Sequence, residues 1–197
     1  MPISRRFRDL ERELSRLKKQ FLPKISPTGS YSDRKLSLTI AYRVLAHAEI
    51  ESYLENRAEE VVINAKRKWD IDGNSSRTLV AIVAFAGNKR TASTPFLNDK
   101  IRFAVDIFQA TIRENHGIKE KNILNLMLPI GIDNNDLDTV FLANMNTFGE
   151  DRGLVAHSSA TLYRVTNLPD PATELNRIQQ ITNDLKSLDQ LISALME

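Results

Sequence analysis

The sequence contains no cysteine, which excludes disulfides, thiolate metal sites and a cysteine nucleophile. Glycine and proline are scarce, with seven of each among 197 residues, and none of the glycines forms a phosphate-cradling loop. The three histidines, His47, His116 and His157, are too scattered to give a metal-ligand spacing. Acidic pairs such as Glu49 with Glu51 and Glu59 with Glu60 fit solvated helix faces better than a magnesium site. No bound cofactor or metal is therefore expected. No apolar run approaches the roughly 20 residues that cross a bilayer, and the charged N-terminus does not read as a secretory signal. The expectation is a cytoplasmic protein with no membrane partner.

One-sided charge is lacking as well. The formal net charge is +2, too little to argue nucleic-acid binding from global electrostatics. The distribution is less even. Arg5, Arg6, Arg8, Arg12, Arg16, Lys18, Lys19 and Lys24 crowd the first two dozen residues, and Arg57, Lys66, Arg67 and Lys68 form a second group. A solvated helix face is the simpler reading of the first group, with duplex binding through a basic helix the alternative.

The apolar pattern is helical almost throughout. Phe7, Leu10, Leu14, Leu17 and Phe21 recur at three- and four-residue spacings and form one stripe, which Pro23 ends. Residues 1–32 read as a basic N-terminal helix plus linker, and residues 33–197 as the main helical domain. Asp33 to about Trp69 has no internal Gly or Pro and predicts a long central helix with Leu38, Ala41, Val44, Leu45 and Ala48 on its core face. Arg43, His47 and Glu51, four apart, stack along its flank, where His47 reads as a surface or boundary histidine held by Glu51. Asp70–Ser76 reads as a turn.

Arg77–Ala86 is apolar and, in this context, a buried helix. Thr94-Pro95 predicts the start of a helix carrying Ile101, Ala104, Val105, Phe108 and Ile112, with His116-Gly117 at its end. A short helix from Lys119 to Leu128 follows. Asp133-Asn134-Asn135 offers caps for a helix whose Leu137, Val140, Phe141, Asn144 and Phe148 share a face. Asp170-Pro171 opens a last helix with Ile178, Ile181, Leu185, Leu188, Ile192 and Leu195 in a heptad-like seam, suited to a bundle core or a dimer interface. The fold class is all-α, a helical bundle.

Chemistry is concentrated in one stretch, Phe148-Gly149-Glu150-Asp151-Arg152-Gly153-Leu154-Val155-Ala156-His157-Ser158-Ser159. Arginine binds phosphate oxygens bidentately and histidine titrates near neutral pH, so Arg152 and His157 suit phosphoryl chemistry. Five helical steps of about 100° leave their side chains roughly 140° apart, so one regular helix does not pair them. Local irregularity at Gly153, or a second copy of the motif, would bring them together. The plainer alternative pairs Arg152 with Glu150 or Asp151 and His157 with a neighbouring backbone group.

Arg152-x-x-x-x-His157, late in a helical chain that also carries Ala41-Tyr42-Arg43-Val44-Leu45-Ala46-His47-Ala48-Glu49-Ile50-Glu51, resembles the HEPN superfamily, and its prokaryotic ribonucleases in particular. The resemblance spans about Leu36 to the C-terminus. Gly153 stands where many members carry a polar residue. What the resemblance implies is a HEPN-like bundle with an additional N-terminal helix, acting as a metal-independent endoribonuclease. RNA would be its substrate, Arg152 and His157 would be catalytic at a homodimer interface, and a toxin or phage-defence role with a cognate antitoxin would follow. Asp151 or Glu150 would orient Arg152, and Ser158 would contact phosphate. The alternative on the same fold is a non-catalytic module that dimerises or binds a nucleotide or an antitoxin.

Overall fold

A computed structural model of the chain describes residues 2–87, 96–157 and 169–197, with 156 and 157 described as backbone alone. The described residues form seven α-helices and a single 3-10 turn, without a strand: α1 (Arg5–Phe21), α2 (Asp33–Asp72), α3 (Arg77–Ala86), α4 (Leu97–Arg113), α5 (Glu120–Met127), α6 (Thr139–His157) and α7 (Pro171–Ala194). The protein is all-α. The spine is α2, whose 40 residues span about 60 Å at 1.5 Å per residue. Each of the other six helices packs against it.

Local chemistry accounts for the helix limits. Ser4 Oγ caps α1 by accepting from Phe7 N at 3.0 Å, and Asp170 Oδ2 caps α7 by accepting from Thr173 N at 2.9 Å, with Pro171 in the first turn. The Asp138 carboxylate accepts from Val140 N and Phe141 N at 2.7 and 3.0 Å at the head of α6. Residues Asn134–Asp136 form the 3-10 turn just before it, so the predicted cap lies a few residues too early. The central helix also runs on to Asp72, because Gly73 supplies the left-handed cap, at φ 67°. Similarly, α4 stops at Arg113, three residues before His116. Thr94 and Pro95, expected to open α4, lie outside the described residues.

A single hydrophobic cluster draws on α1 through α7. Phe7, Leu10, Leu14 and Leu17 of α1 are buried in it, and the Phe7 ring meets Tyr53 edge to face, with centroids 5.9 Å apart. Burying such side chains contributes on the order of 1.5–3 kcal/mol each. The seam of α7 faces this core through Ile178, Ile181, Leu185, Leu188 and Ile192.

The inward face of α2 differs from the predicted one. Leu45 is 37% exposed and Ala48 is exposed, whereas Tyr42, Arg43, Ala46, His47 and Ile50 are buried. Counting apolar residues selects the wrong stripe because the buried one carries ionisable groups. The two buried carboxylates that meet its arginines lie on α7, far along the chain. Glu174 receives a two-pronged hydrogen bond from the Arg43 guanidinium, through Nε at 3.0 Å and through Nη2. At the other end of α7, the fully buried Asp189 accepts from Ser4 N and Ser4 Oγ, both at 2.7 Å, and from Tyr53 OH at 2.8 Å. Arg57 Nε lies 3.0 Å from the same carboxylate, and Arg57 Nη2 donates to Ser193 Oγ at 2.9 Å. One carboxylate thus ties the start of α1 to α2 and α7.

Asp189→Ala would leave the buried Arg57 and the half-buried Ser4 without that acceptor, and the variant is expected to lose about 3–5 kcal/mol of stability in urea unfolding. A loss below 1 kcal/mol would show that solvent takes over the role of the carboxylate.

Candidate active site

The helical stretch that bears the motif arginine is the C-terminal half of α6. Its inner side is Phe141, Leu142, Met145 and Phe148, all buried against the core. Gly149 follows, where a Cβ would come within 2.8 Å of Lys119 Cγ. The absence of a side chain there lets α6 approach the α4–α5 connection closely. That connection is held against α2 in turn: Gly117 N donates to Glu51 Oε1, and Asn115 Nδ2 donates to Glu55 Oε1 at 3.2 Å. Burial raises the pKa of Glu55. Asn122 at the head of α5 donates to Asn115 Oδ1 at 3.1 Å.

These elements enclose a cleft of about 560 Å³. Its chemistry-bearing walls are His47 from α2, His116 and Lys119 from the connection, Asn122 from α5, and Glu150 and Arg152 from α6. Arg152 is exposed and has no hydrogen-bonded or ion-paired partner among the described residues. Its flanking carboxylates are engaged elsewhere. Asp151 accepts from Arg177 Nη1 at 2.5 Å, and Glu150 accepts from Asn146 Nδ2 at 3.0 Å while standing 4.0 Å from Lys119 Nζ. The expected pairing of Arg152 with Glu150 or Asp151 is therefore not what the structure shows, and neither carboxylate orients it directly. Asp151 instead closes a chain of charges, Arg43 to Glu174 to Arg177 to Asp151, that fastens this turn of α6 to α7 and α2.

His157 closes α6 as backbone; its side chain, and Ser158 as a whole, lie outside the described residues. Gly153 lines the cleft with open space around its Cα, where an added Cβ would meet nothing within 4 Å.

His47 is the residue that the sequence placed differently. It is 2% exposed rather than at the surface, with its ring 5.8 Å from that of Phe148. Its Nδ1 lies 3.5 Å from Glu51 Oε2 but lacks hydrogen-bond geometry, and it has no other partner among the described residues. Burial, and secondarily the positive charge of Arg152, lower its pKa to about 4. The two effects outweigh the nearby carboxylate, so the imidazole is neutral and the contact with Glu51 is not an ion pair. The four-residue spacing of Arg43, His47 and Glu51 was the signal that could have marked this face as the inner one.

The profile of the RiboL-PSP-HEPN family matches residues 5–195. The chain belongs to that family. The match covers α1 as well as the rest of the bundle, and membership brings with it a nuclease-like or RNA-related function at that coarse level. No curated protein and no solved structure matches the chain. Among the described residues of this HEPN protein, no group of three or more His, Asp or Glu side chains is placed to hold a metal ion, and no helix is long and apolar enough to cross a membrane.

Because His47 takes its proton at about 4 in the folded protein and at about 6.5 in the unfolded chain, the unfolded chain binds more protons between those values. The stability that neutral His47 contributes is complete above pH 6.5 and is lost as pH falls toward 4. Between pH 7.5 and 4.5 the wild type should lose roughly 2–3 kcal/mol more than His47→Gln in urea unfolding; parallel losses would mean that the imidazole titrates normally. Gly153→Ala should raise stability by about 0.5–1 kcal/mol, since the space is open and glycine disfavours a helix interior. A lower melting temperature would show that the backbone at Gly153 is not regular helix.

Proposed function

We propose that this HEPN protein is a metal-independent endoribonuclease in which Arg152 binds the scissile phosphate and His157 moves protons. The observation that carries the reading is Arg152 itself: an exposed guanidinium without a described partner, on a cleft whose other walls present two histidines, a lysine and an asparagine. An arginine with no partner among the described residues suits an anion in such a setting, and its planar fork matches two phosphate oxygens.

Cleavage of RNA through its own 2′-hydroxyl needs removal of that proton, delivery of a proton to the departing 5′-oxygen, and stabilisation of the charge that gathers on the phosphoryl oxygens. The last task falls to Arg152, with Lys119 contributing to the field of the cleft. Histidine covers the proton transfers without a metal ion. In a two-fold homodimer the two copies of the motif converge, so that two Arg152 and two His157 serve one composite site. Glu150 lines the cleft and balances Lys119, Asp151 steadies the turn that carries Arg152, and Ser158 contributes a phosphate contact. RNA is then the substrate. The biological setting we propose is that of a cytoplasmic toxin or phage-defence effector restrained by a cognate antitoxin.

Incubation of the purified protein with a mixed RNA pool in EDTA tests the reading, with molar mass recorded by light scattering. Fragments ending in 2′,3′-cyclic phosphate are expected from a dimer. Arg152→Ala and His157→Ala should each reduce cleavage by about two orders of magnitude or more. Unchanged cleavage in both variants would remove the assignment.

A further inference from the structure

His47 is a second histidine in the cleft for which the composite site has no task. It is a polar side chain more than nine-tenths buried, it lines the same cleft as Arg152, and its Nδ1 has no hydrogen-bond partner among the described residues. Buried polar groups are normally satisfied by protein, water or a ligand, so an unpartnered Nδ1 beside a cleft marks a place that a bound molecule can complete. The Glu51 carboxylate stands 3.5 Å from Nδ1, outside hydrogen-bond geometry, and the proton acceptor of the neutral ring is assigned to the other nitrogen, Nε2.

The charged groups around the imidazole come from every neighbouring element. Arg43 and Glu51 lie on α2 and Glu174 of α7 is spent on Arg43. Glu150 and Arg152 belong to α6, and His116 and Lys119 to the α4–α5 connection. The outcome is a neutral ring, that is, a proton acceptor under neutral conditions, set beside a cation that has no described partner.

We propose that His47 is the base of the RNA cleavage, accepting the 2′-hydroxyl proton in the same protomer that supplies Arg152. This inference rests on the ribonuclease reading and refines it by assigning the two proton transfers to different histidines. As the 2′-O–P bond forms, the hydroxyl proton passes to His47 Nε2. As the P–O5′ bond breaks, the leaving oxygen takes a proton from His157 in its imidazolium form. The products are a 2′,3′-cyclic phosphate and a 5′-hydroxyl, and the two histidines exchange their protonation states through solvent before the next turnover.

The neighbourhood also couples binding to basicity. Burial is the main reason that His47 resists protonation and the Arg152 charge the lesser one; a phosphate seated on Arg152 offsets that lesser part and adds a negative charge of its own, so the base gains proton affinity when substrate is present. The free protein keeps a weak base that the substrate strengthens.

The deciding experiment measures kcat and KM for the full chain and for His47→Gln, Arg152→Ala and His157→Ala on one oligoribonucleotide that the wild type cuts, with circular dichroism confirming each fold. His47→Gln is expected to lower kcat about 100-fold or more while KM stays within about threefold. Cleavage by His47→Gln close to the wild-type rate, with Arg152→Ala and His157→Ala silent, would overturn this assignment and leave the ribonuclease reading standing; unchanged rates in all three would overturn both. A second measurement uses the unaltered chain: 15N imidazole shifts of His47 against pH, with and without inorganic phosphate. Its midpoint should rise by about one pH unit on phosphate addition and should not move in Arg152→Ala. A midpoint indifferent to phosphate in the wild type would overturn the proposal whether or not a cleavable RNA is in hand.

Discussion

The pairing of charges that α2 buries governs this structure. A helix that takes Arg43, His47 and Arg57 into the interior folds only where carboxylates meet the guanidinium groups, since an uncompensated buried charge costs several kcal/mol. Both main counter-charges, Glu174 and Asp189, are on α7, one near each end. Two anchors that far apart fix both the position and the direction of α7 along the spine. The Asp189 anchor also takes Ser4, so the N-terminal helix is set by the same requirement.

The same constraint reaches the cleft. Arg177, one turn along α7 from Glu174, grips Asp151 and thereby holds the α6 turn on which Arg152 sits. With Asp151 and Glu150 both occupied, Arg152 lines the cleft without a carboxylate partner among the described residues. On the opposite wall, Glu51 is divided between Gly117 N and the vicinity of His47. Carboxylates that could have quenched the cations of the cleft are thus used to build its walls.

The sequence is a good guide to this protein wherever a single helix suffices to explain a residue. The stripes of α1, α4 and α7 were legible from spacing because their inward faces are apolar and their outward faces polar, so the period shows directly. The stripe of α2 was not, because its innermost line mixes Tyr42, Ala46 and Ile50 with Arg43 and His47. Leu45, which an apolar count places inside, lies outside. The helix ends follow the same division: Asp170-Pro171 caps α7 locally, as read, whereas α4 stops before His116 because the connection is pulled onto Glu51 and Glu55.

Residue types and their spacing determined by themselves that the chain is all-helical, where most helices lie, and that Arg152 and His157 form its most chemical stretch. Tertiary structure decided which groups surround Arg152. It set Asp151 on Arg177, brought His116 and Lys119 across from another connection, and turned His47 inward, since each of these depends on contacts between segments far apart in the chain. Periodicity reports which side of a helix is buried, and a cleft is made of the sides of several helices at once.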